Sequence, residues 1–304
     1  MYRGKEIFFR ASATDCTDGE FMILSQIIIS ISSMVLQNCI LNNVCKKDLV
    51  TGSHVYRFNT LSYAICILLF GIIALSGGSS LFTVILGLVF GIVTALSNYY
   101  KMLSLSLGPM HITLLITTSS MIIPTLSGVF FGEKFSIAKL LVVFVLLFFI
   151  YLSFEKKNGS RFNKKWLIFC FFAFILQGSI GVLQKIHQSS EHKGEIGGFL
   201  FIAFICSLVY SHFRTKSGFK ELGFNTRLYI FAPICGLCTF AMNFLNLKLS
   251  GLLPSQLFFP VVNGSAIILS SIMSVMLFKE KPTRRQVIGL CGGILSLIAV
   301  CLVK

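Results

Sequence analysis

Gly91, Thr94, Asn98 and Pro109 recur as Gly236, Thr239, Asn243 and Pro254, each pair separated by 145 positions. Each copy continues through an apolar stretch to a Glu-Lys pair, Glu133-Lys134 and Glu280-Lys281, and then into one more apolar stretch. A fixed offset across several residue types marks a tandem duplication. The fold must therefore be built from two related halves, both of which suit the same solvent.

That solvent is lipid. Hydrophobic residues make up 55% of the 304 positions, Phe alone 31 of them, and charged residues only 12%, against about a quarter charged in soluble domains. Windows of about 20 apolar residues, the length that crosses a hydrocarbon core, fall at 22–42, 59–77, 81–105, 109–131, 135–154, 166–187, 196–213, 226–248, 252–278 and 283–303. The expected fold is an all-α membrane protein of ten transmembrane helices, five in a first repeat at 22–154 and five in a second at 166–304. A basic linker at 155–165 joins them, and a polar tail at 1–21 precedes them. An odd number of spans per repeat makes the second copy enter from the opposite side, giving two inverted five-helix repeats. The apolar run after the tail is too long for the core of a cleaved signal peptide.

The net charge of +15 comes from basic residues scattered between apolar spans. Loops resting on anionic headgroups account for that pattern, so the expected partner is the lipid bilayer and no nucleic acid. The larger share of Lys and Arg falls on the face opposite the termini, which by the enrichment of cytoplasmic loops in these residues would put the termini outside; one span more or fewer at the start reverses the count, so both orientations stay open. Most of the ten cysteines fall inside spans, where a thiol behaves as a small hydrophobe. Cys235 and Cys238, a C-x-x-C pair without a second pair or a nearby His, read as packing residues.

All eleven acids lie in the tail, in loops or at span ends. A carboxyl near the midplane is the usual proton carrier of pumps and antiporters, and no span interior has one. Among the five histidines only His111 enters a span, near its start, and none sits with a carboxylate at midplane depth. An intramembrane enzyme needs an acid, base or nucleophile constellation, so no catalysis, cofactor or metal site is expected.

Residues 22–303 resemble the drug/metabolite transporter superfamily in its EamA-like ten-span form. In the second copy Pro254, the run Phe259-Pro-Val-Val-Asn263-Gly264, Phe278-Lys-Glu280-Lys and Gln286-Val-Ile-Gly289 are also similar to the small multidrug resistance proteins, with no gap from Pro254 to Glu280. Two departures matter. The multidrug family places a membrane-embedded Glu eight residues before a Lys, where this chain has Gln177 and Lys185; and Val262 stands where that family has Trp. Gln37 aligns with Gln177 in the first copy, so both copies carry the amide. The resemblance implies a transporter at the cell membrane, and the departures argue against proton-driven export of cationic drugs.

What remains for a binding site is a set of neutral polar groups near the midplane: Gln37, Gln177, Thr94, Thr239, Asn98, Asn243 and Asn263, with Phe259 at the substrate-facing aromatic position that the resemblance implies. The threonines serve equally well as bonds between helices, and each Asn must find a partner because an unpaired amide is costly in lipid. Lys101 and Lys185 are basic residues reaching well into spans. Their stems either carry the ammonium to the interface or present it to a cavity, where it would attract an anion. Tyr99 and Tyr100 form an interfacial belt or a stacking wall, and the interior prolines Pro124 and Pro260 make hinges. The expected function is a secondary transporter moving a small polar or anionic metabolite by alternating access, without an intramembrane carboxylate for proton coupling. A flippase for a lipid-linked sugar or lipid phosphate, and a membrane scaffold or sensor that transports nothing, are the alternatives; no oligomer is required.

Overall fold

The computed structural model describes residues 18–48, 52–75, 77–108, 110–134, 136–153, 164–215, 226–278 and 284–303. The polar tail before residue 18, most of the basic linker, Pro109, and the Glu280-Lys281 pair lie outside them. The described chain is all helix and connection: α1 Asp18–Lys47, α2 Gly52–Ala74, α3 Leu81–Leu107, α4 Met110–Ser119, α5 Ile122–Ser127, a single 3-10 turn Gly128–Phe131, α6 Ile137–Ser153, α7 Lys164–Gln188, α8 Ile196–Arg214, α9 Thr226–Leu252, α10 Ser255–Phe278 and α11 Arg284–Leu302.

Each predicted window holds helix. Among the described residues, six helices are long and apolar enough to cross a membrane by length and composition, within α1, α2, α3, α7, α8 and α9. The other four apolar segments, Ile116–Phe131, Ile137–Leu152, Ser255–Ser270 and Val287–Leu302, are shorter. Many large apolar side chains on the outside are bare, among them Leu68, Ile72, Ile85, Leu141, Phe144, Phe148 and Phe171. A surface of that kind is incompatible with water over such an area and suits lipid tails. The chain has the helices and the surface of a multi-pass membrane protein. Two expected boundaries move: α1 starts inside the polar tail, and Lys164 and Lys165 open α7 instead of belonging to the linker.

The fourth window is broken. Pro124 has no amide to give to Ser120, and it disfavours helical geometry at Ile123. The chain tightens instead, with Ile123 N donating to Ser120 O and Met121 N to Thr118 O, both at 3.0 Å. The result is a turn at Ser120 and Met121 between α4 and α5, so the break falls just before the proline. Gly132, at φ 72°, then ends the 3-10 turn in left-handed geometry. α9 and α10 carry Pro233 and Pro260 without a break.

Helix pairing crosses between the sequence halves. α2 packs on α8 and α6 on α11; α3 packs on α7 and α8, while α1 and α2 pack on α9. Two glycines set the closest approaches. A Cβ on Gly91 would run into the Ala203 carbonyl of α8, and one on Gly236 would run into the Ser62 carbonyl of α2. The absent side chains are used: Ser207 Oγ donates to Gly91 O at 2.7 Å, and Cys66 Sγ to Gly236 O at 3.3 Å.

A candidate binding cavity between the halves

A cavity of about 90 Å³ opens among α1, α3, α4 and α5 of the first half and α7, α9 and α10 of the second. By the space one water requires, it holds roughly six. Of the residues predicted to form a site, Gln37, Thr94, Asn98, Lys101, Gln177, Asn243, Phe259 and Asn263 line it. Thr239 and Lys185 do not. Tyr99 and Tyr100 are also elsewhere, stacked on Tyr56 at 4.3 Å and on Phe172 at 5.1 Å.

The amides are oriented by their own bonds. Gln37 Nε2 donates to Thr239 Oγ1 at 2.7 Å, and Asn243 Nδ2 to Thr239 O at 2.8 Å, so Thr239 serves as the anchor behind two cavity residues. Asn98 Nδ2 donates to the Tyr63 hydroxyl at 2.8 Å, and Asn263 Nδ2 to Phe259 O at 3.0 Å. In each case the amide oxygen is left to accept from something in the cavity. Gln177 is turned the other way: its Oε1 accepts from Ser97 Oγ at 3.0 Å, which leaves its N–H groups as donors. Thr94 is buried, and its hydroxyl has no protein partner. The two copies thus differ in detail, since the Gln37–Thr239 bond has no Gln177–Thr94 counterpart.

Lys101 carries the one formal charge among the lining residues. Its Nζ donates to Asn38 Oδ1 at 3.2 Å, and no described carboxylate pairs with it. It lies one turn beyond Asn98 on the same face of α3. Of the two lysines weighed in the sequence, this one presents its ammonium to the cavity.

Lys185 has a different place. Its ammonium forms an ion pair of 2.5 Å with Glu133, the acid that follows the 3-10 turn, and donates to Ser250 O at 2.9 Å. Glu133 also accepts from Ser255 N at 2.8 Å and Ser255 Oγ at 3.1 Å at the start of α10. One carboxylate of the first half therefore binds two elements of the second. A further crossing joins Glu195 to the start of α3: its Oε2 accepts from Ser80 N and Ser80 Oγ, each at 2.8 Å, and its Oε1 lies 3.2 Å from His192 Nδ1. Hydrogen bonds from Thr83 and Ser80 hold the Glu195 carboxyl at about 2, well below the ordinary range.

Residues that sequence reasoning missed complete the lining: Asn38, Thr117, Thr118, Ser120, Gln184 and Asn246. Helical spacing was available as a signal for two of them. Gln184 follows Gln177 by two turns, and Asn246 follows Asn243 by one, on the same faces. Asn246 Oδ1 accepts from the buried Ser30 hydroxyl at 2.5 Å.

No family model matches this chain and no curated protein does. Among solved structures, one described only as "Crystal structure of protein" aligns with a TM-score of 0.67 over 92% of this chain and 98% of its own, at 14% identity. The two share an overall fold.

Proposed function

We propose that this chain is a secondary transporter of the drug/metabolite type, built as two inverted five-helix halves, whose alternating access exposes the central cavity to one side of the cell membrane and then the other. The observation that carries the reading is the cavity itself, lined from both halves by amides, hydroxyls and one ammonium within an otherwise apolar bundle. Polar side chains placed at membrane depth are costly, and a packed scaffold has no use for amide oxygens left facing a cavity. The 145-position duplication and the exchange of helix partners between halves support the inverted arrangement, because each pairing in one half has its counterpart in the other. The absence of a carboxylate from the described lining favours a uniporter or a substrate exchanger over a proton-coupled pump.

The test has two parts. Purified protein in proteoliposomes should exchange an internal for an external metabolite, and empty liposomes should not. Lys134→Cys and Lys281→Cys should react with an impermeant maleimide from opposite faces. Labelling of both from one face would remove the inverted arrangement, and the absence of exchange across a broad set of metabolites would remove transport.

A further inference from the structure

Within this cavity the amides differ in which end the protein already holds. Lys101 Nζ, the N–H groups of Asn38, whose oxygen is taken by Lys101, and those of Gln177, whose oxygen is taken by Ser97, are all donors. Asn98, Asn243 and Gln37 each give an N–H to the protein and hold out an oxygen. Phe258, Phe259 and Ile267 add an apolar wall. Because the lining has one basic side chain and no described acidic one, a guest with a single negative charge pairs with Lys101 in its ammonium form and leaves the site neutral. A zwitterion brings a second ammonium into the same low-dielectric space, and a dianion leaves a charge uncompensated; both are penalised there.

We propose that the cavity takes a small hydroxylated organic monoanion, with its carboxylate on Lys101, Asn38 and Gln177, its hydroxyl on the amide oxygens, and its apolar part against Phe258 and Phe259. The volume suits a free acid of a few carbons. This assignment rests on the transport reading for its biological meaning, but charge selection at the site is measured separately from movement.

The probes are lactate, alanine and lactamide, which have six non-hydrogen atoms each, as the cavity volume allows, and differ in charge at one or two groups. Equilibrium binding to the purified wild-type protein should be about tenfold or more tighter for the hydroxy acid than for either of the others. In Lys101→Gln that preference should disappear, with the amide binding as well as the acid. Equal or tighter binding of alanine or the amide by the wild type overturns the proposal, as does failure to bind the hydroxy acid at all; the wild-type comparison holds even if the variant does not fold. A hydroxy acid that binds selectively yet is not exchanged in proteoliposomes removes the transport reading and leaves the charge assignment standing. Exchange without any charge preference does the reverse.

Discussion

The Glu133 carboxylate and the Lys185 ammonium meet at 2.5 Å, with only 16% and 9% of their side chains exposed, and Ser255 closes the remaining side of the carboxylate. Two stretches 52 positions apart in sequence are tied by a charge pair that neither can satisfy alone. Removing one partner leaves the other charge buried and unpaired.

That asymmetry gives the first prediction. Glu133→Gln or Lys185→Met alone should each destabilise the protein by about 3–5 kcal/mol. The double variant should lose clearly less than the two losses added. Unfolding midpoints in detergent for the four proteins complete the cycle, and strict additivity would show that the pair contributes no coupling.

Glu195 predicts an acid sensitivity. Its carboxyl sits at about 2, held down first by hydrogen bonds from Thr83 and Ser80, against an ordinary value of 4.5. A group with a depressed folded value gives its full stabilisation above the ordinary range and loses it as pH falls towards the folded value. Thermal stability should therefore decline between pH 4.5 and pH 2, and Glu195→Gln should lose that part of the decline while being less stable than wild type at neutral pH.

Gln177 predicts a functional loss without a structural one. Its carbonyl is held by Ser97 while its N–H groups face the cavity. Gln177→Ala should reduce exchange in proteoliposomes by about tenfold or more and leave the unfolding midpoint within a few degrees of wild type. Undiminished exchange by a folded variant would take the residue out of the site.

The two closest helix approaches make a matched pair. Gly91→Ala and Gly236→Ala each put a Cβ against a backbone carbonyl that cannot rotate away. Overpacking of this sort costs about 1–3 kcal/mol, so both variants should melt earlier by similar amounts. Gly78→Ala, at a position with nothing near its Cβ, is the control that should not change.

The helices and much of the cavity could be read from the chain alone because a polar residue inside an apolar window has few tolerable places. Gln37, Asn98, Asn243 and Asn263 stood out on that ground, and the structure brings them together. Lys101 and Lys185 were indistinguishable by the same logic, since both stems are long enough to reach the interface. What separates them is a partner from the other half, Glu133 for Lys185, and sequence spacing carries no information about contacts between halves. Thr239 lies outside the lining for a related reason: its hydroxyl accepts from Gln37, and only the packing of α1 on α9 places it behind that side chain. Asn38 was hidden beside Gln37, where adjacent positions on a helix diverge by about 100° and only one was expected to face inward. Pro124 is read from the sequence as a hinge, and the break falls at Ser120 and Met121 because a proline disturbs the turn before it.

The interleaved packing has a consequence for what can move as a unit. α3 is fastened to α8 through Gly91 and Ser207, and α9 to α2 through Gly236 and Cys66, so the rigid blocks of this molecule do not follow the two halves of its sequence. Any hinge must run through connections inside each copy. A polypeptide severed midway would yield two fragments, each with bare faces shaped for the other, and they would have to be made together to fold at all.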